Sequence, residues 1–409
     1  MVTLANGAYA MAVVIPCLWI SCINSLIMEN LIRPFPGESN DSFIKRQAYF
    51  IRITSRRLRY GSSILESMLD RAVSITKCEK EEIDVFWAKY FTRKQRDLLV
   101  DYRFYDVYKG FQLEERPLWQ YIPSTFYYAI IDDYFSNPQG VATFENKNLY
   151  DLYFHDIKMP KTIFRKTKYL YLDKDYLEIS QASAINKVRD CREVILKKVS
   201  SSGGKGVFFW NSFKDSETEL LDFINKADDV VCQEVINQHE SLDQINSSSV
   251  NTIRIMTLMF EGQVHVLSCV LRMGVKGARV DNASSGGVAS GILAGGKLRN
   301  FAYDLNANKY LKHPNGMEFD SIIVPSYDEC VHLSIMLAKR LSMVSRLISW
   351  DFAIDHKGTP ILIEMNPTYG GLEVNQLTNG PIFGDMTEDV LKEVFANSFT
   401  LNSIIKSLN

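Results

Sequence analysis

At 409 residues, 46% of them hydrophobic, the chain can bury a large core and divide into two or three domains. Lys and Arg number 46 against 48 Asp and Glu, for a formal charge of −2, which argues against a nucleic-acid binder working through a basic surface. The seven cysteines (Cys17, Cys22, Cys78, Cys191, Cys232, Cys269, Cys330) are scattered and never spaced C-x-x-C, a pattern of reduced thiols in a cytoplasm rather than of a disulfide framework or zinc site.

The first 28 residues, "MVTLANGAYAMAVVIPCLWISCINSLIM", carry no charged side chain and could span a bilayer, and Arg33, Lys45, Arg46 and Arg52 follow as a cytoplasmic flank would. Asn6, Pro16 and Asn24 interrupt the run, and no Lys or Arg precedes it as a signal peptide requires. A membrane anchor on the inner face and a buried or peripheral helix both stay open. Residues 29–118 read as an amphipathic helical accessory region: "CEKEEIDVFWAKYFTRKQRDLLVDYRFYDVYK" spaces apolar residues three and four apart. From 119 to about 160 the sequence turns aromatic, with a helix expected in "NKNLYDLYFHDI". Beyond 160, short apolar runs such as "EVILKKV", "DVVCQEVI", "TIRIMTLMF", "QVHVLSCVL" and "TPILIEM" read as strands between Gly, Asn and Ser clusters. Residues 328–348 have the periodicity of a helix. The fold class is α+β, with antiparallel sheets in the C-terminal part.

Four constellations carry chemistry. In "VILKKVSSSGGKGV" an apolar strand bearing Lys197 and Lys198 enters a loop of Gly203, Gly204, Lys205 and Gly206, whose small residues let backbone N–H groups converge on an anion. It is neither a Walker A loop nor a G-x-G-x-x-G turn. In "DVVCQEVINQHESLDQ" a strand ends in Gln233-Glu234 and continues as an irregular edge able to meet a purine and ribose hydroxyls. In "NTIRIMTL…CVLRMGVKGARVDNASSGGVASG", Arg254 shares a face with Thr252 and Met256, and Arg272 leads into a loop holding Lys276, Arg279, Asp281, Asn282, Gly286 and Gly287. That is an anion-handling composition.

The fourth is "SWDFAIDHKGTPILIEMNP". With Lys357-Gly358 as a two-residue turn, Asp351 falls opposite Glu364, and Asn366 shares the latter's face. Two opposed carboxylates repel unless one is protonated or a cation joins them. The all-oxygen set of Asp351, Glu364 and Asn366 suits Mg²⁺ or Mn²⁺.

In this order the four elements resemble the ATP-grasp superfamily, and most closely the sugar-transfer-associated ATP-grasp family, over residues 120–385. The likeness rests on "YIPSTFYYAIIDDYF", "ENKNLYDLYF", "SVNTIRIMTL", "DNASSGGVASGI" and above all "DFAI…ILIEMNP…GGLE". The C-terminal half also resembles the ribosomal-protein glutamate ligases. The resemblance implies an ATP-grasp fold, two α+β subdomains clasping ATP, behind the N-terminal helical region. It divides the chain into 119–190, a lid at 191–240, and a large subdomain at 241–400 with the metal and catalytic site. By the same resemblance Lys147 contacts the nucleotide, Lys197 and the Gly203–Gly206 loop hold its phosphates, and Glu234, Val235 and Ile236 receive adenine. Asp243 or Glu240 takes ribose, and Asp351, Glu364 and Asn366 hold the metal. Arg272, with Arg254 as second candidate, and Asn282, Gly286 and Gly287 serve the transferring group. Two departures stand out: Lys197-Lys198 replaces the usual Lys-Pro, leaving open which lysine faces ATP, and Ser349 replaces an arginine of the D-alanine-type ligases.

The implied activity is ATP- and Mg²⁺-dependent joining of a carboxylate to an amine through an acyl-phosphate, with ADP released. The family adds a sugar acid and surface polysaccharide as context. The rivals are a peptide or amino-acid ligase making a soluble metabolite, and a non-catalytic nucleotide-binding protein in a glycan assembly complex.

Overall fold

The computed structural model describes residues 40–113, 116–136, 138–199, 206–275, 277–279, 281 and 286–408. These fall into two compact units, one of residues up to 137 together with 371–409, the other of 138–370. The uncharged segment 1–28 lies outside the described residues. Among those described, no helix is long and apolar enough to cross a membrane.

The first unit is helical: Asn40–Met68, Lys77–Ala88, Arg93–Leu99 and Arg103–Lys109 are joined by Leu372–Asn379, Thr387–Asn397 and Phe399–Leu408. Thr76 and Thr92 begin two of these with reciprocal capping boxes, each accepting from the N–H three residues on while that residue's side chain returns to the cap. The apolar stripe read between 78 and 109 is the core face. Trp87, Phe104, Tyr105 and Tyr108 are fully buried, and Trp87 Nε1–H donates to the Tyr105 hydroxyl at 2.7 Å. The aromatic stretch at 119–135 contains one π-helical turn, Tyr127–Ile131.

The second unit holds two antiparallel sheets. Six strands, β1 (Thr162–Thr167), β2 (Leu170–Leu172), β3 (Glu178–Ile179), β4 (Glu193–Lys198), β5 (Val207–Asn211) and β6 (Asp229–Glu234), are ordered β3-β2-β1-β6-β4-β5. Helices Gln181–Arg189 and Glu217–Asn225 pack their apolar faces on it around Val194, Leu196, Leu220 and Ile224. Seven further strands, β7 (Thr252–Phe260), β8 (Gln263–Met273), β9 (Val288–Gly291), β10 (Ala302–Tyr303), β11 (Lys309–Tyr310), β12 (Leu347–Ile354) and β13 (Pro360–Asn366), are ordered β11-β10-β9-β8-β7-β12-β13. Their core includes Ile253, Ile255, Leu271 and Trp350, covered by Leu337 and Ala338 of helix Tyr327–Arg340.

Two local expectations change. The helix expected over 328–348 ends at Arg340, because the apolar run that follows is β12, buried along its whole length between β7 and β13. Ser345 precedes that strand: its hydroxyl bonds the Leu347 and Pro367 carbonyls, local bonding that competes with helix. In "NKNLYDLYFHDI" only a turn at Lys147–Leu149 and helix Tyr150–Tyr153 form, with Asn146 Oδ1 capping Asn148 N–H at 3.0 Å.

Candidate functional site

The pairing Asp351↔Glu364 is present, but by a different route from the two-residue turn. Ile354 pairs with Pro360, and the hairpin closes through Asp355 N–H to Thr359 O at 3.0 Å, a longer loop with Gly358 at φ 79°. A bulge between Asp351 and Phe352 then shifts the ladder by one residue and restores the expected register. Asp355 shapes the tip by accepting from the Lys357 and Thr359 amides at 2.9 and 2.8 Å. Strand β13 lies at the edge of its sheet, where Leu362 N–H bonds Lys158 O (2.9 Å) and Met365 N–H the Tyr150 hydroxyl (3.4 Å).

A row of charge crosses three strands here, because Arg254 pairs with Asp351 and Asp351 with Glu364. Arg254 grips the Asp351 carboxylate two-pronged, Nε to Oδ1 and NH2 to Oδ2, each at 2.7 Å. Arg272 NH1 and Asn366 Nδ2 each approach Asp351 Oδ2 at 3.3 Å. Burial alone would push the Asp351 carboxyl up; the two guanidinium groups and Asn366 outweigh it and hold it below its ordinary value. Glu364 has its own partner, Lys147 Nζ at 2.7 Å. The repulsion inferred from the sequence is therefore met by protein cations, and the opposed pair does not by itself require a metal.

The donors that remain still fit a hard cation. Asn366 uses its Nδ2 toward Asp351, while its carbonyl oxygen and the second Glu364 oxygen make no hydrogen bond to a described residue. Oxygen donors of this kind suit Mg²⁺. No group of three His, Cys, Asp or Glu able to hold a metal exists among the described residues, so the carboxamide is needed to complete the set.

Both sheets of the second unit contribute to a cleft of about 790 Å³, within the range of small-molecule sites. On β4, Val194 and Leu196 enter the core, so Ile195 and Lys197 face the cleft. Lys198 falls on the opposite face with its ammonium 5.2 Å from the Phe223 ring. Both lysines border the cleft, Lys197 from the face turned to it and Lys198 at the end of the strand. Burial lowers the Lys197 ammonium to about pKa 8, with Glu364 opposing and Lys147 adding to that shift.

From the last residue of β6 onward, Glu234, Val235 and Ile236 line the cleft, Glu234 paired to Lys161 at 2.6 Å. The backbone N–H and C=O groups of Val235 and Ile236 bond no described residue and are available to a ligand. Asp243 lines the cleft and Glu240 does not; Gln238 Nε2 holds Asp243 Oδ1 at 3.2 Å. Gly206 (φ 81°) and Gly286 (φ 86°) occupy turns and Gly287 is buried, while Gly203, Gly204, Lys205 and Asn282 lie outside the described residues. His313 is buried and bonds Gly274 O at 3.1 Å through Nε2, a structural anchor.

Sequence reasoning missed Gln238, which is buried and ties the 238–251 connection together, accepting from Asn251 N–H and donating to the Asn246 and Ser249 carbonyls. It also missed Phe209, which carries the Arg279 guanidinium 4.3 Å from its ring centre, and Glu193, which pairs with that arginine. No periodicity marks an irregular connection, and strand alternation could have given the face of Phe209 but not its pairing with Ile195.

A family model described as sugar-transfer associated ATP-grasp matches residues 133–392. A search of curated proteins finds no match. Among solved structures, D-alanyl-alanine synthetase A from Vibrio cholerae is 13% identical, with 64% of this chain and 68% of that chain covered and a TM-score of 0.40. The L-amino acid ligase from Bacillus licheniformis is 16% identical at TM-score 0.36, covering 63% of this chain but only 48% of its own. The ATP-grasp ligase PsnB, with precursor peptide and AMPPNP, is 11% identical at TM-score 0.38 over 78% and 76% of the two chains. The family match spans well over half of the sequence, and the chain belongs to the sugar-transfer associated ATP-grasp family.

Proposed function

We propose that this protein is an ATP- and Mg²⁺-dependent ligase that joins a carboxylate to an amine through an acyl-phosphate. The observation that carries the reading is one cleft lined by Lys147, Lys197, Arg272, Asp351 and Glu364, in which Lys147 pairs with Glu364 while Arg272, and Arg254 from outside the lining, bond Asp351. Two basic pairs around two acids suit a polyphosphate that must be neutralised and then relieved of one phosphoryl group. The unbonded Val235–Ile236 backbone would receive adenine and Asp243 the ribose, placing the phosphates toward Lys147 and Lys197. A divalent cation on Glu364, Asn366 and Asp351 would supply charge neutralisation at the phosphate oxygens.

In the first step a substrate carboxylate oxygen bonds the γ-phosphorus and ADP leaves. In the second an amine nitrogen bonds the acyl carbon, inorganic phosphate leaves and the amine loses a proton. Arg272 and the Gly286-Gly287 amides would steady the charge that develops on the acyl oxygen. The carboxylate partner would be a sugar acid, in surface polysaccharide assembly; what supports this is the family's description as sugar-transfer associated.

The test incubates purified protein with ATP, Mg²⁺ and pools of amines and acidic sugars, following ADP. Glu364→Gln should lower turnover by about 10²-fold or more while leaving the fold intact. Release of AMP and pyrophosphate, or full activity in Glu364→Gln, would overturn the reading.

A further inference from the structure

We infer that Asp281, outside the predicted site set, is a positioning residue that aims Arg272 at the transferring group. This rests on the ligase reading of the cleft. Arg272 and Thr252 are direct cross-strand partners on β8 and β7. The Asp281 carboxylate returns to that same pair: one oxygen accepts from the Thr252 hydroxyl, the other lies 3.6 Å from Arg272 NH2. Arg272 NH1 meanwhile reaches Asp351 at 3.3 Å. The guanidinium is thus held between two carboxylates through two different nitrogens, which fixes the plane of the fork as well as its position.

Asp281 is buried and lines the cleft. Burial pushes its carboxyl up from the usual value, while Arg272 and Thr252 oppose the shift. The chain leading to it is anchored, since His313 bonds Gly274 O at 3.1 Å and Gly277 N–H donates to Ser248 Oγ at 3.3 Å. Asp351 cannot take over the task of Asp281, because Arg254 and Asn366 already bond it. Loss of Asp281 would remove one of the two described ion pairs that orient the Arg272 fork.

The experiment is a double-mutant cycle on full-length protein, measured as ADP release with kcat and KM for ATP separated. Asp281→Asn should lower kcat by about 10²-fold, the cost of misplacing a catalytic group by about 1 Å, while KM for ATP changes little. Asp281→Glu should restore much of the loss. In an Arg272→Ala background, Asp281→Asn should cost almost nothing further, since it acts through the missing group. Additive losses in the cycle, or wild-type kcat in Asp281→Asn, overturn the inference. Should that variant fail to fold, Thr252→Val keeps both charges and frees one end of the carboxylate; it should lower kcat about 10-fold, and an unchanged kcat likewise overturns the inference. If wild-type protein neither binds nor turns over ATP, the ligase reading falls and this one with it. If wild type turns over and only the Asp281 effects are missing, this inference falls alone.

Discussion

Lys147 Nζ stands 2.7 Å from Glu364 Oε1, so a turn ahead of the first strand supplies the counter-charge for an acid on the last one. The ammonium occupies one Glu364 oxygen and leaves the other uncommitted. Lys147→Met should raise the dissociation constant for ATP about 10- to 100-fold, the size of one charged hydrogen bond. Nucleotide competition at fixed Mg²⁺ measures it; unchanged affinity would remove Lys147 from the phosphate site.

Lys197 should make ATP binding pH-dependent. Its folded pKa of about 8 lies below the usual lysine value of about 10.4. Between these values the unfolded chain holds a proton that the folded chain has released, so this group makes stability rise with pH across that window. Its destabilising charge is fully present below pH 8, where it is also available to phosphate. Affinity for ATP should therefore weaken as pH rises through about 8, and Lys197→Arg, which keeps its charge, should flatten that profile. A flat wild-type profile between pH 7 and 9.5 would contradict the assignment.

Glu373 is buried in the helical unit with no cationic partner, bonded to the Tyr128 hydroxyl at 2.9 Å, and its other oxygen and Ser124 Oγ lack partners among the described residues. Burial raises its carboxyl above the ordinary value. Below the unfolded value of about 4.3 both states are protonated; above it the unfolded chain ionises first, so stability falls with rising pH until the folded group also titrates. Glu373→Gln keeps the Tyr128 acceptor and offers Ser124 a donor. Urea denaturation should show it more stable than wild type at pH 7.5, with the advantage gone near pH 4. A variant less stable at pH 7.5 would refute this.

Gly61 sits inside helix Asn40–Met68, where alanine would ordinarily favour the helix by about 1 kcal/mol. A Cβ there would lie 2.7 Å from both Thr125 Cα and N and 2.9 Å from Ser124 C, all backbone atoms. Gly61→Ala should instead destabilise the first unit by about 1–3 kcal/mol, the usual range for overpacking. Thermal unfolding checks the sign, and a rise in Tm would mean the close approach is not needed.

The strands around the site were legible because each has a period-two or continuous apolar pattern: β4, β6, β7, β8 and β13 fall where "EVILKKV", "DVVCQEVI", "TIRIMTLMF", "QVHVLSCVL" and "TPILIEM" place them. Helix Tyr327–Arg340 was legible in its start and not its end, since an apolar run reads alike as buried helix or buried strand. Deciding which side of β4 carries Lys197 needed the face of that strand that meets the core.

By itself the sequence determined the local periodicities, the antiparallel character of the C-terminal part and the residue types that could hold phosphate and a hard cation. Only the tertiary structure decided their partners. The Arg254 that grips Asp351 and the Lys147 that balances Glu364 join residues distant in the chain, and the Asp281 that returns to Arg272 and Thr252 comes from a connection outside any strand. The physical reason is that side-chain period reports which face a residue takes, whereas the charge meeting it is set by ladder register and by loops that carry no period.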